Sequence, residues 1–262
     1  MGDIKTINET DFLWVDGEPK GISKAILYDC VGTDHLPAVV GASLVKDDTP
    51  IGYITSKHVA SSPHTILNVG FTGWPIYRNG DTLLIEILTP AHISQNPSEQ
   101  KNAWLFNYPP ARDVVQCLSD LGVDNFLTLT STAFDASPSD AVVCVKGEEI
   151  GTSLAPEAVQ PLWGWFPAFL YTLLNEVGAN VLLIPAHGAR QVQAEFDETA
   201  IKDALEHVGK LGFDTENALK RAKALYGKAS SEASEAMKMA NEMISKMMAK
   251  TKKDPYSGGM FQ

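Results

Sequence analysis

Cysteine is scarce in this chain: Cys30, Cys117 and Cys144 are odd in number, far apart and without Cys-x-x-Cys spacing, which argues against a disulfide framework or a zinc knuckle. They read as reduced, mostly buried thiols. Basic residues are in deficit, 21 against 32 acidic ones, and the net charge of -11 repels phosphate backbones and anionic lipid surfaces. Nucleic acid and membranes are therefore not expected partners. The densest apolar run, WFPAFLYTLL at residues 165–174, is too short to span a bilayer and contains Pro167. Residues Met1 to Thr10 are polar and acidic, without the basic and apolar segments of a secretory signal, so a cytoplasmic location is expected. Without export, the glycosylation pattern Asn8-Glu9-Thr10 carries no meaning, and the myristoylation pattern at Gly2 and Thr6 reads as a chance match.

Signatures of catalysis are missing too. There is no glycine-rich phosphate loop, dinucleotide fingerprint, His-Glu-x-x-His helix or Gly-x-Ser-x-Gly elbow. The histidines His35, His58, His64, His92, His187 and His207 are scattered without ligand spacing on one element. No cofactor or metal is expected, and the chain reads as a non-enzyme. Two loops that follow strands, Ser56-Lys57-His58 and Pro185-Ala186-His187-Gly188-Ala189-Arg190, stand where α/β proteins place ligands, and Arg190 with backbone amides could hold an anion. They support an alternative reading, a nucleoside- or nucleotide-binding enzyme. Ordinary connection chemistry explains them better. Trp163-Gly164-Trp165-Phe166-Pro167 fits the packed start of a helix or a subunit contact.

What is present is material for a packed core, with 44% hydrophobic residues. Short β-branched runs predict strands at Ala25–Val31, Ile51–Thr55, Thr65–Val69, Thr82–Leu88, Phe126–Thr130, Ala141–Val145 and Val181–Ile184. Helical spacing marks Leu36–Val45, Gln100–Leu121, Phe166–Val177 and Asp197–Leu211. Alternation of the two predicts an open, mostly parallel sheet covered on both sides, a three-layer α/β/α sandwich. Gly122 and Gly178 stand where helices should end, just before apolar strands. Asn79-Gly80-Asp81 predicts a tight turn into the strand that begins at Thr82.

After Gly212 the composition shifts to Ala, Glu, Lys and Met, which predicts one long helix over Glu216–Lys250. Its seam alternates threes and fours from Leu219, Ala222 and Tyr226 through Ala229, Ala233, Ala236 and Ala240 to Met243 and Met247. The first half suits packing on its own domain as well as on a partner. The second half, Ala233, Ala236, Ala240, Met243 and Met247, is expected to serve homo-oligomerisation. Asp254-Pro255 stops the helix, Ser257-Gly258-Gly259 is a flexible link, and Met260, Phe261 and Gln262 follow. An apolar-aromatic pair beyond such a link reads as a binding element. The expected organisation is a core domain at 1–213, a heptad helix at 214–250 and a tail at 251–262.

Across most of residues 25–225 the chain resembles the proteasome assembly chaperone family, which contains the second subunit of the eukaryotic chaperone pair and its archaeal homologues. The carriers are Ile51-Gly52-Tyr53-Ile54-Thr55-Ser56-Lys57-His58, the strand Asp81–Leu88 ending in Thr89-Pro90, the segments Val114–Thr130 and Gly164–Ile184, and the helix Asp197–Leu211. The resemblance implies an α/β/α fold like that of nucleoside phosphorylases, without their catalysis. It also implies a role for the tail, because archaeal members end in a hydrophobic residue, a tyrosine and a final residue that insert between α-subunits of the proteasome 20S core particle. Met260-Phe261-Gln262 is similar, with phenylalanine for tyrosine. Two departures are visible: Val31-Gly32-Thr33-Asp34-His35-Leu36-Pro37 replaces the family's glycine-rich stretch, and an insertion lies around Ala189–Glu195.

Overall fold

The structure, a computed structural model, describes residues 2–29, 36–56, 63–66, 69–87, 97–135, 143–146, 149–151, 180–186, 198–227, 238–239 and 242–244. Its strands are β1 (Asp3–Ile7), β2 (Thr10–Trp14), β3 (Lys24–Asp29), β4 (Gly52–Ser56), β5 (Pro63–Ile66), β6 (Val69–Thr72), β7 (Trp74–Asn79), β8 (Thr82–Ile87), β9 (Asn125–Asp135), β10 (Val143–Lys146), β11 (Glu149–Gly151) and β12 (Asn180–Ala186). The helices are α1 (Leu36–Leu44), α2 (Pro97–Asp120) and α3 (Glu198–Lys210), with α4 at residues 218–227. Met1–Ala222 forms one compact unit and Lys223–Gln262 a second.

Strand β3 shows why the sheet is buried on both faces. Ala25 and Leu27 enter one apolar cluster while Ile26 and Tyr28 enter another, because side chains alternate along a strand. Parallel neighbours extend the division: Leu83, Ile85 and Phe126 join the first cluster, Leu84, Leu127 and Leu129 the second. Each face then attracts a helix with a matching stripe. Helix α2 presents Ala111, Val114, Val115 and Leu118 to the first, and α3 presents Ile201, Ala204, Leu205 and Val208 to the second. Both sets follow i, i+3, i+4, i+7 spacing, which places them on one side of a helix. Helix α1 adds Val40 and Leu44 to the second face. Its Gly41 allows close approach, since a Cβ there would lie 2.1 Å from Tyr28 Cγ. The expected three layers are present.

The expectation of a mostly parallel sheet is corrected. Among the described residues, ten strands run in the order β1-β2-β4-β7-β8-β3-β9-β12-β10-β11. Only the central block β8, β3, β9 and β12 is parallel, and the pairings on either side of it are antiparallel. Part of the reason is local: β1–β2 and β7–β8 are hairpins, and a two-residue turn returns the chain antiparallel. The turn Gly80-Asp81 joins β7 to β8 with Asn79 opposite Thr82, and Gly80 takes a φ of 59°. Asn8-Glu9 joins β1 to β2 with Ile7 opposite Thr10, and Asn8 takes a φ of 50°. Residues 3–14, read from sequence only as a polar start, are thus two strands. The strand expected at Thr65–Val69 is instead parts of two, β5 and β6, which pair with each other.

Helix ends follow the glycine signals. At the end of α2, Gly122 has a φ of 90°, its N–H donates to the Ser119 carbonyl at 3.0 Å, and that of Val123 donates to Leu118 at 3.0 Å. The end of α3 repeats this with Gly212 at a φ of 86°, bonded to Gly209 at 3.0 Å, and Phe213 bonded to Val208 at 3.3 Å. Both are Schellman caps, and the residue after each glycine, Val123 or Phe213, is buried as the motif favours. The helix expected at Phe166–Val177 and the glycine end at Gly178 lie outside the described residues.

Candidate functional site

The C-terminal segment is the candidate binding element, and the structure shows how its root is held. Ala218 and Ala222 are buried in the second apolar cluster, with Leu219 packed against it. The first part of the heptad seam therefore serves the chain's own core. Arg221 fixes α4 to the end of α1: its Nε donates to the Ser43 carbonyl at 2.6 Å and a terminal nitrogen donates to the Glu216 carbonyl at 2.8 Å. Upstream, Lys46 Nζ donates to Asp214 Oδ2 at 2.5 Å, and the Glu216 N–H donates to Asp214 Oδ1 at 2.8 Å. The Lys46 ammonium and that backbone bond hold the Asp214 carboxyl below its ordinary value.

The same residues line a groove beside the starts of β3 and β8, bounded by Lys24, Lys46, Asp81, Gly212, Phe213 and Asp214. Its charges are already matched. Lys24 Nζ donates to the Gly212 carbonyl at 2.9 Å and lies 3.6 Å from Asp81 Oδ2. Asp81 is held below its ordinary value first by the Ser23 hydroxyl, which donates to it at 2.7 Å, and also by Lys24. Both ammonium groups face carboxylates of the same chain, so the groove clamps the α3–α4 connection to the sheet and, among the described residues, offers no free cation to an anionic ligand. It also lies at the amino ends of the parallel strands, opposite the side where such sheets bind ligands.

Of the residues expected to drive oligomerisation, Met243 is described: it is helical and 66% exposed. Ala233, Ala236, Ala240 and Met247 lie outside the described residues, as do Met260, Phe261 and Gln262. Met239 and Ile244, which the heptad reading passed over, are also helical and exposed. Their apolar side chains were the available signal, but neither falls on the alternating seam. Lys57, His58 and the loop His187–Arg190 lie outside the described residues, as does Trp163–Pro167. His207 turns its Nδ1 toward the Asp203 carbonyl at 2.8 Å, a contact within α3. Among the described residues no group of three or more His, Cys, Asp or Glu is placed to hold a metal, and no helix is long and apolar enough to cross a membrane. Cys117 is a free, buried thiol, while the side chains of Cys30 and Cys144 lie outside the described residues.

No family model matches the chain, and no curated protein matches it. Solved structures do. PbaB of Pyrococcus furiosus, an archaeal proteasome activator, aligns with a TM-score of 0.55 and 13% identity over 87% of this chain and 100% of its own. PbaA of the same organism, an archaeal homologue of proteasome-assembly chaperone, aligns with a TM-score of 0.51 and 16% identity over 88% and 99%. This chain shares their fold. A protein of unknown function from Thermoplasma acidophilum has it too, with a TM-score of 0.58 and 11% identity over 86% and 92%. These alignments span nearly the whole of each solved chain, so the likeness covers an entire body and not a common α/β fragment.

Proposed function

We propose that this protein is a non-catalytic member of the proteasome chaperone and activator group, cytoplasmic and homo-oligomeric, that docks on the α-ring of the 20S core particle. One observation carries the reading: the body shares its fold over 87% of its length with an archaeal proteasome activator. The sequence adds a terminal hydrophobic-aromatic-any-residue tail, Met260-Phe261-Gln262. The phosphorylase-like framework then acts as a scaffold without the chemistry. Physically, the tail would bury Met260 and the Phe261 ring between α-subunits, with a terminal carboxylate paired to a lysine of the receptor. Phenylalanine in place of tyrosine forgoes one hydrogen bond, about 1 kcal/mol.

Three residues bury little surface, so useful affinity requires several tails presented together, each raising the effective concentration of the next. Association through Ala233, Ala236, Ala240, Met243 and Met247 would supply that multiplicity, and the exposure of Met243 supports it. The test is binding of the full chain to purified 20S core particle, compared with a variant lacking Met260–Gln262. Loss of binding on deletion is expected. Equal binding by both forms would remove the tail from the mechanism, and no binding by either would remove the proteasome as partner.

A further inference from the structure

Strand β1 stands at one end of the ten-stranded sheet, and among the described residues it pairs only with β2. In a two-residue hairpin the closing pair exchanges hydrogen bonds, and bonded and non-bonded pairs then alternate. Ile7 opposite Thr10 is that closing pair, so Ile7, Lys5 and Asp3 turn their backbone groups toward β2. Ile4 and Thr6 turn theirs outward. Asp3, Ile4 and Thr6 are exposed, Ile4 at 66%, so among the described residues the outward edge is open.

Open edges are commonly guarded by a proline, a bulge or charged side chains. Among the described residues this edge carries no proline and no bulge, and its two charges, Asp3 and Lys5, are opposite in sign. The β1–β2 register runs unbroken from Asp3 to Ile7. Lys5, the one lysine of the strand, lies with Nζ 3.3 Å from Asp120 Oδ2 and 3.6 Å from Glu18 Oε1 of its own chain, and its ammonium has three donors, so a further facing carboxylate can share it.

The geometry points to antiparallel pairing of β1 with β1 of a second copy, about a two-fold axis at Ile4, which joins the two sheets edge to edge. The strand is self-complementary in this register alone. Ile4 faces Ile4 of the second copy, the outward N–H and C=O of the two Ile4 residues bond reciprocally, and Asp3 of each copy faces Lys5 of the other. Opposite charges and apolar side chains directly across a ladder are the favourable cross-strand pairs. A centre at Lys5 would oppose like charges and present backbone groups already committed to β2. A centre at Thr6 would drive the Asn8-Glu9 turn against the second strand.

This interface is separate from the C-terminal helix and does not depend on docking to the proteasome. It is tested by sedimentation of the full chain over a concentration series, with Ile4→Pro as the first variant. The Ile4 N–H points away from β2, so proline removes an intersubunit donor while leaving the hairpin ladder intact. Association at least tenfold weaker, with an unchanged circular dichroism spectrum, is the expected result. Oxidative cross-linking of Ile4→Cys provides the second readout, because facing Cα atoms of a bonded antiparallel pair lie about 5.5 Å apart, within disulfide reach. A covalent band at twice the 28.4 kDa chain mass, absent from the unsubstituted protein, is expected. Unweakened association of a folded Ile4→Pro chain would overturn the proposal, as would failure of Ile4→Cys to cross-link. If Ile4→Pro does not fold, the cross-link decides. Failure to bind core particle would leave both readouts unaffected.

Discussion

Asn8, at the tip of the β1–β2 hairpin, donates from Nδ2 to Asp113 Oδ1 of α2 across 2.6 Å, linking residues 105 positions apart in the chain. Thr10 Oγ1 donates to the other oxygen, Oδ2, at 2.8 Å. Asp113 and Thr10 are both buried, so one carboxylate binds the hairpin to the helix and satisfies both of its own oxygens in doing so. Replacing Asp113 with alanine would strand the buried Thr10 hydroxyl and leave the exposed Asn8 amide to water. Urea unfolding of Asp113→Ala is expected to show a loss of about 2–4 kcal/mol, given that bonds to a charged group are each worth about 1.5–3 and act here on one hairpin. Asp113→Asn, which keeps one acceptor, should lose less.

The opposite sign is expected at Thr128. Its Oγ1 is buried on β9 and has no hydrogen-bond partner among the described residues, and its neighbour across the ladder is Leu27. An unsatisfied buried hydroxyl costs about 1–3 kcal/mol, and valine occupies nearly the same shape without it. Thr128→Val should therefore raise the urea midpoint at unchanged slope. A lower midpoint would show that the hydroxyl is satisfied in solution.

Acid should loosen the Lys46–Asp214 clamp. The Asp214 carboxyl is held below its ordinary value of 3.8 when folded, first by the Lys46 hydrogen bond and then by the Glu216 N–H. A lowered folded value means the unfolded chain takes up the proton first. The contribution is thus complete above the ordinary value and is lost as pH falls through the lowered one. Both side chains are more than a third exposed, at 39% and 53%, so screening limits the effect to less than about 1 kcal/mol. Asp214→Asn should be slightly less stable than the unsubstituted chain at neutral pH, and the difference should shrink as pH falls below the ordinary carboxylate value.

Cys117 should be inert while the chain is folded. Burial pushes its thiol up to about 12, outweighing the nearby Lys5 ammonium, so almost no thiolate exists at pH 8. Mass spectrometry of the Cys117 peptide after iodoacetamide treatment at pH 8 should find it unmodified in the native protein and alkylated in urea. Labelling under native conditions would place the thiol at the surface.

The central elements were legible because their signals are local. Residues 100–121 and 197–211 carry complete helical stripes, and α2 and α3 fall within two or three residues of those bounds. The apolar runs around Ile26 and Leu84 have no polar alternation, as strands covered on both faces require. The β1–β2 hairpin was missed because Asp3–Ile7 is half polar and gains its strand character only by pairing. Asn8-Glu9 was its one turn signal, and it was read only for glycosylation. In the candidate binding segment, the sequence marked the heptad seam and pointed its second half to oligomerisation, but left the first half open between its own domain and a partner. That Ala218 and Ala222 are fully buried follows from α4 starting directly beside α1 and α3, a proximity no single segment encodes.

By itself the sequence determined which segments bury apolar faces, where α2 ends at Gly122, that no familiar catalytic motif is present, and that Met260 and Phe261 follow Ser257-Gly258-Gly259. Each of these depends on residues a few positions apart. Tertiary structure alone decided that the parallel strands form only the middle of the sheet, that Asp113 reaches Asn8, and that β1 is left at an edge. Those outcomes depend on which strands become neighbours, a choice made by the packing of both faces together and not by the propensity of any one strand.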